Sequence, residues 1–121
     1  MADVKKGDKL FVVTRKDLFP GDQAVQGMHA LRQFVAEHPG ADEEWFTKSN
    51  YLAFVSVDNE IELEMLHHGA KKQNLCVSAF YEEDMNNALT AIAIEPHWTT
   101  DRLCKKLPLA LTENPEKTHD D

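Results

Sequence analysis

No stretch of this sequence approaches the ~20 consecutive apolar residues that a membrane-spanning helix requires, so no membrane partner is expected. Met1 to Lys9 carries three lysines and no apolar run long enough for the core of an export signal, which places the expected location in the cytoplasm. Cysteine is scarce. Cys76 and Cys104 stand alone in segments read below as a strand and a helix. In a reducing compartment they are expected to be small buried hydrophobes rather than a disulfide. A basic surplus is also missing: 13 Lys and Arg face 21 Asp and Glu, for a net charge of −8. That balance argues against indiscriminate binding of nucleic acid, whose phosphates demand excess positive charge. The short basic groups (Lys5, Lys6 and Lys9; Arg15 and Lys16; Lys71 and Lys72) read as solvated faces. There is no Walker loop, dinucleotide fingerprint, nucleophile elbow, His-Glu-x-x-His or Cys-x-x-Cys spacing. His67 and His68 are adjacent on an expected helix and diverge by about 100°, so they cannot chelate one ion together. No metal and no cofactor is implied.

What is present suffices for one core. With 121 residues, 42% of them hydrophobic, the chain fits a single domain over 1–111, and the polar stretch 112–121 is expected to be a disordered acidic tail. Lys9 to Thr14 reads as a buried strand and Arg15 to Pro20 as its exit loop. From Gly21 to about Glu37 the period is helical, with Ala24, Gly27, Met28, Leu31, Phe34 and Val35 on the face expected to pack on the sheet. Asp22, Gln26, His29 and Gln33 form the opposite stripe.

A short helix over Ala41 to Lys48 is expected to bury Trp45 and Phe46, and Tyr51 to Val57 reads as a central strand. Asp58 is the expected cap of a helix over Asn59 to Gln73, with Ile61, Leu63, Met65, Leu66 and Ala70 inward. Leu75 to Tyr81 and Ala88 to Glu95 suit an antiparallel hairpin around a polar loop at Glu82 to Asn87. Thr99 or Thr100 caps a last helix reaching about Lys106. This order implies two right-handed crossovers and an α/β fold: parallel strands, with one antiparallel strand added by the hairpin.

In open α/β sheets ligands collect beyond the carboxyl ends of parallel strands. The loop from Arg15 to Asp22, the first turn of the following helix and the loop from Glu82 to Asn87 all converge there. Unpaired N–H groups at the helix start suit a phosphate or an oxyanion, whereas Asp22 at that end suits the helix dipole. Gln26 either fixes the loop or donates to a ligand, and His29 either faces the cleft or satisfies a carbonyl. Arg15 and Asp17 suit an ion pair that shapes the loop as well as they suit a substrate contact. Glu82, nearest the strand end, is the candidate general base, and Glu83 and Asp84 read as surface.

This ordered set of residues resembles the archaeal and eukaryotic type of peptidyl-tRNA hydrolase, including the peptidyl-tRNA hydrolase domain-containing proteins. The likeness rests on Arg15-Lys16-Asp17-Leu18, on the segment from Gly21 through Gln26 to His29-Ala30, on Val57-Asp58, on the strand Thr90 to Pro96 and on Leu107-Pro108-Leu109. The resemblance implies a three-layer α/β/α fold with a four-stranded mixed sheet. It also implies hydrolysis of the ester between peptide and tRNA, with peptidyl-tRNA as partner. Asp22 stands where the family has lysine, Glu82 where it has aspartate and Asn86 where it has threonine. On this match Glu82 activates water. Backbone N–H groups near Asp22 and Gln23, or the Asn86 amide, stabilise the oxyanion, while Arg15, Asp17, Gln26 and His29 hold the loop or the ester. Relatives often pair as homodimers, although no exposed apolar stripe in the sequence requires it. The alternative is a binding module for RNA or protein that kept the fold and lost hydrolysis.

Overall fold

The computed structural model describes residues 7–112. Lys5, Lys6 and nearly all of the expected tail lie outside them. The elements run β1 (Lys9–Arg15), α1 (Pro20–Glu37), α2 (Pro39–Lys48), β2 (Tyr51–Val57), α3 (Glu60–Lys72), β3 (Val77–Glu82), a single 3₁₀ turn (Glu83–Met85), β4 (Ala88–Ile94) and α4 (Trp98–Cys104). One mixed sheet carries four strands in the order β2-β1-β4-β3. β1 and β2 are parallel, from Lys9 opposite Tyr51 to Arg15 opposite Val57. β4 is antiparallel to both β1 and β3. The antiparallel strand expected from the hairpin is β4, and it is inserted between β1 and β3. Its composition explains this: Leu89 to Ile94 are all buried, so the strand needs cover on both faces and on both edges.

The sheet separates two cores. Phe11, Val13, Val55, Val57, Leu89, Ile92 and Ile94 pack with Leu63 and Ala70 of α3 and Cys104 of α4. Leu10, Val12, Ala91 and Ala93 pack with Ala30 and Phe34 of α1 and Trp45 of α2. This is the three-layer arrangement.

Local chemistry sets the helix boundaries. Pro20 and Pro39 occupy first-turn positions, where a missing N–H costs nothing. The cap of α3 is Asn59 rather than Asp58: Asn59 Oδ1 accepts from the Glu62 N–H at 3.0 Å, and Glu62 Oε1 accepts from the Asp58 N–H at 3.0 Å. α4 is capped by His97, whose Nδ1 accepts from the Thr99 N–H, and it ends at Cys104, short of Lys106. Cys76 lies just before β3.

Several positions expected inside are outside. Ile61 and Met65 of α3 stay 69% and 68% exposed, because only Leu63, Leu66 and Ala70 reach the sheet. Phe46 is exposed beside the buried Trp45, whose indole N–H donates to the Tyr51 carbonyl at 2.6 Å. α1 is also rotated from its expected setting, with Met28 62% exposed while Gln23 and Gln26 are buried. α1 lies over β4, β3 and β1 and leaves β2 partly uncovered. The result is an open apolar groove lined by Val12, Gly27, Met28, Leu52, Phe54 and Leu111, a feature the sequence reading did not foresee.

Candidate functional site

The site forms where β1 ends, α1 begins and the β3–β4 turn folds back. The polar stripe of α1 faces the sheet there. Gln26 Nε2 donates to Glu82 Oε1 at 2.8 Å, joining residues 56 apart in sequence. Gln26 Oε1 accepts from the Thr90 hydroxyl at 2.7 Å. One helical turn on, the imidazole of His29 lies flat against Phe80, with centroids 4.5 Å apart and planes at 13°. Gln33 Nε2 reaches the Ala79 carbonyl at 3.0 Å. These partners explain the rotation of α1, since a buried amide without hydrogen bonds would cost more than exposing Met28.

Glu82 closes β3 and caps the turn that follows, its Oε2 accepting from the Asp84 N–H at 3.2 Å. The turn returns through Asn86 and Asn87, both at positive φ (57° and 59°), a conformation asparagine tolerates better than most residues. The Gln26 hydrogen bond and then that backbone N–H hold the Glu82 carboxyl below its ordinary pKa; desolvation opposes them, and the nearby His29 adds to the lowering. Glu82 therefore stands as a carboxylate at neutral pH. Each of its oxygens makes one bond and keeps capacity for another.

Arg15, at the end of β1, is held by its own set of partners. Its Nε and Nη2 donate to the two carboxylate oxygens of Asp17, each at 3.0 Å. Nη1 donates to the Leu89 carbonyl at 3.1 Å, with Glu60 at 3.9 Å. The bidentate bond to Asp17 raises the guanidinium pKa further, so the fork is permanently charged and fixed. Arg15 thus ties the exit loop of β1 to the start of β4.

Asp22 occupies the first turn of α1, which has no side-chain cap. The Gln23 N–H already donates to the Phe19 carbonyl at 2.9 Å, so of the first-turn groups expected to meet an oxyanion it is committed to the helix. The Asn86 side chain is exposed and takes no part in the hydrogen bonds that join Glu82, Gln26 and Thr90. The structure therefore brings Gln26, Glu82 and His29 together, pairs Arg15 with Asp17 beside Glu60 of α3 rather than with that cluster, and leaves Asp22 and Asn86 outside the network. Thr90 was missed as a site residue. A threonine inside an otherwise apolar β4 run, between Leu89 and Ala91, was the one local signal. No group of three or more metal-ligating side chains occurs among the described residues.

The family described as peptidyl-tRNA hydrolase PTH2 matches residues 9–110, nearly the whole described chain. The protein belongs to this family. Among solved structures, a protein of unknown function, Atu0240 from Agrobacterium tumefaciens strain C58, shares the fold, with a TM-score of 0.61 and 17% identity over 84% of this chain and 96% of that one. No curated protein matches the chain. No helix among the described residues is long and apolar enough to cross a membrane.

Proposed function

We propose that this protein hydrolyses the ester joining a peptide to the terminal ribose of tRNA, by direct attack of water. The observation that carries the reading is the Gln26–Glu82 hydrogen bond, which holds an ionised carboxylate at the end of β3 with acceptor capacity to spare. Glu82 takes a proton from the attacking water as the new C–O bond forms. Negative charge then develops on the carbonyl oxygen, and the uncapped first turn of α1 at Gly21 and Asp22, with the Asn86 amide, supplies donors for it. Collapse of the tetrahedral intermediate releases the ribose hydroxyl, which recovers the proton from Glu82. His29 presents one imidazole face beside the carboxylate, and Arg15 with Asp17 fixes the loop against which the ester lies. On this reading the protein works in the cytoplasm, and a homodimer would use the open apolar groove along Met28 and Leu52.

A second reading, a module that binds RNA or protein without hydrolysis, is favoured by Asp22, whose negative charge stands at the anion-binding end of α1. Release of peptide from purified peptidyl-tRNA separates the two. Hydrolysis that falls by about 100-fold or more in Glu82→Ala supports the enzyme, in keeping with general-base contributions of roughly 10²–10⁴. Equal rates in both proteins would remove Glu82 from the chemistry. Binding of tRNA that weakens steeply with salt, without turnover, supports the module.

A further inference from the structure

The pairing of β3 with β4 is irregular at one place. Phe80 faces Ala91, but Tyr81 faces Leu89, so Thr90 is the extra residue of a β-bulge. Its effect on side-chain direction is visible in the two cores. Leu89 packs on the α3 side and Ala91 on the α1 side, although residues two apart in a regular strand share a face. Bulges re-aim side chains, and this one turns Thr90 toward α1. Thr90 is fully buried, and valine would fill the same space in a strand without an embedded hydroxyl.

We propose that Thr90 is a positioning residue for the reaction: its hydroxyl, re-aimed by the bulge, fixes the Gln26 amide with its NH₂ group toward Glu82 and so holds the carboxylate in its working orientation. This rests on the reading of Glu82 as the group that activates water. The hydrogen-bonding inventory decides the direction. Ionised Glu82 only accepts, so it requires the amide nitrogen. The amide oxygen then faces Thr90, whose single proton goes to it at 2.7 Å rather than to the Phe80 carbonyl at 3.4 Å. Reversing the amide would set its oxygen against a carboxylate, two acceptors facing each other. Thr90 is itself anchored at its carbonyl, which accepts from the Thr14 hydroxyl at 3.0 Å. The titratable groups near Glu82 are His29 on α1 and Glu83 and Asp84 in its own turn, while β4 presents none, so a Thr90 substitution changes no charge around the carboxylate.

The test is an NMR titration of the Glu82 side-chain carboxyl, with the pH–rate profile for peptidyl-tRNA, in the intact protein and in Thr90→Val, Thr90→Ser and Gln26→Leu. Thr90→Val is expected to move the Glu82 midpoint upward toward the ordinary carboxyl value, and the acid limb of the rate profile with it. Thr90→Ser, which keeps the hydroxyl, restores both. Adding Thr90→Val to Gln26→Leu shifts the midpoint no further. An unchanged midpoint in folded Thr90→Val overturns the proposal, and so does a shift in that variant that serine fails to restore. If Thr90→Val does not fold, Thr90→Ala read against Thr90→Ser carries the same comparison. Wild-type hydrolysis in Glu82→Gln would instead sink the catalytic reading, and the titration would still show whether Thr90 governs the carboxylate.

Discussion

The ring of Phe54 lies where a side chain on Gly27 would begin: a Cβ there would stand 2.7 Å from Cε1 and 2.8 Å from Cζ. α1 can approach the sheet beside Val12 only because this residue has no side chain. Gly27→Ala gains about 1 kcal/mol in helix propensity and is opposed by overpacking of about 1–3 kcal/mol. A net loss near 1 kcal/mol is expected in urea unfolding. Gly69→Ala, with nothing within 4 Å of the added carbon, should instead gain up to about 1 kcal/mol. Equal shifts in the two variants would show that close approach at Gly27 does not set the position of α1.

The Glu82 carboxyl titrates below its ordinary value chiefly because Gln26 donates to it. A depressed carboxyl contributes stability that is present above the unfolded pKa and is lost as pH falls through the folded one. Hydrolysis should therefore persist in acid where an ordinary carboxylate would already be protonated. Gln26→Leu raises the acid limb of the rate profile. It also leaves the buried Thr90 hydroxyl without its nearer acceptor, a cost of about 1–3 kcal/mol in chemical denaturation. An acid limb at the same pH in both proteins would detach the titration from this hydrogen bond.

Asp22→Lys should raise the rate of peptide release, since a cation at the start of α1 favours an anionic substrate and a developing oxyanion. The same change removes an acid from the first turn of the helix, and a loss of about 0.3–1 kcal/mol is expected in thermal or urea unfolding. Faster turnover in a less stable protein is the signature; a rate unchanged or lower would count against a site at this end of α1.

Burial pushes the Cys104 thiol up to about 12, so almost no thiolate is present near neutrality. Cys76 is less buried and shifted upward by burial and then by Glu95. A thiol reagent followed by mass spectrometry should label the folded protein slowly and at Cys76 first, with Cys104 reacting on unfolding. Early labelling of Cys104 would contradict the packing of α4 on the sheet.

Strands and helices were legible wherever burial and period agreed. Leu10 to Val13 and Leu89 to Ile94 carry the runs of buried strands, and each forms one, whereas Tyr51 to Val57 forms a strand at the edge of the sheet rather than its centre, with Leu52 half exposed. The setting of α1 was not legible, because its direction is fixed by partners far along the chain. Glu82 and Thr90 draw Gln26 inward, and no local pattern records that an amide will outrank Met28 for a place under the helix. Gln26 and Glu82 were both singled out from the sequence, and they meet. Arg15 and Asp17 were read as an ion pair or a substrate contact, and the ion pair is present. Thr90 escaped because a bulge depends on the register between two strands, which neither strand states alone. The exposure of Ile61 and Met65 escaped because their spacing suits an inward face, whereas α3 touches the sheet along a narrower stripe.

The central place of β4 has a consequence for synthesis. It is the last strand to leave the ribosome, yet neither β1 nor β3 has its inner neighbour until it arrives. A nascent chain ending before Ala88 would hold β1 paired on one side only and β3 unpaired. Closure of both cores should therefore be a late, nearly single event once Ile94 clears the exit tunnel, and chains stalled earlier are the ones exposed to chaperones and proteases.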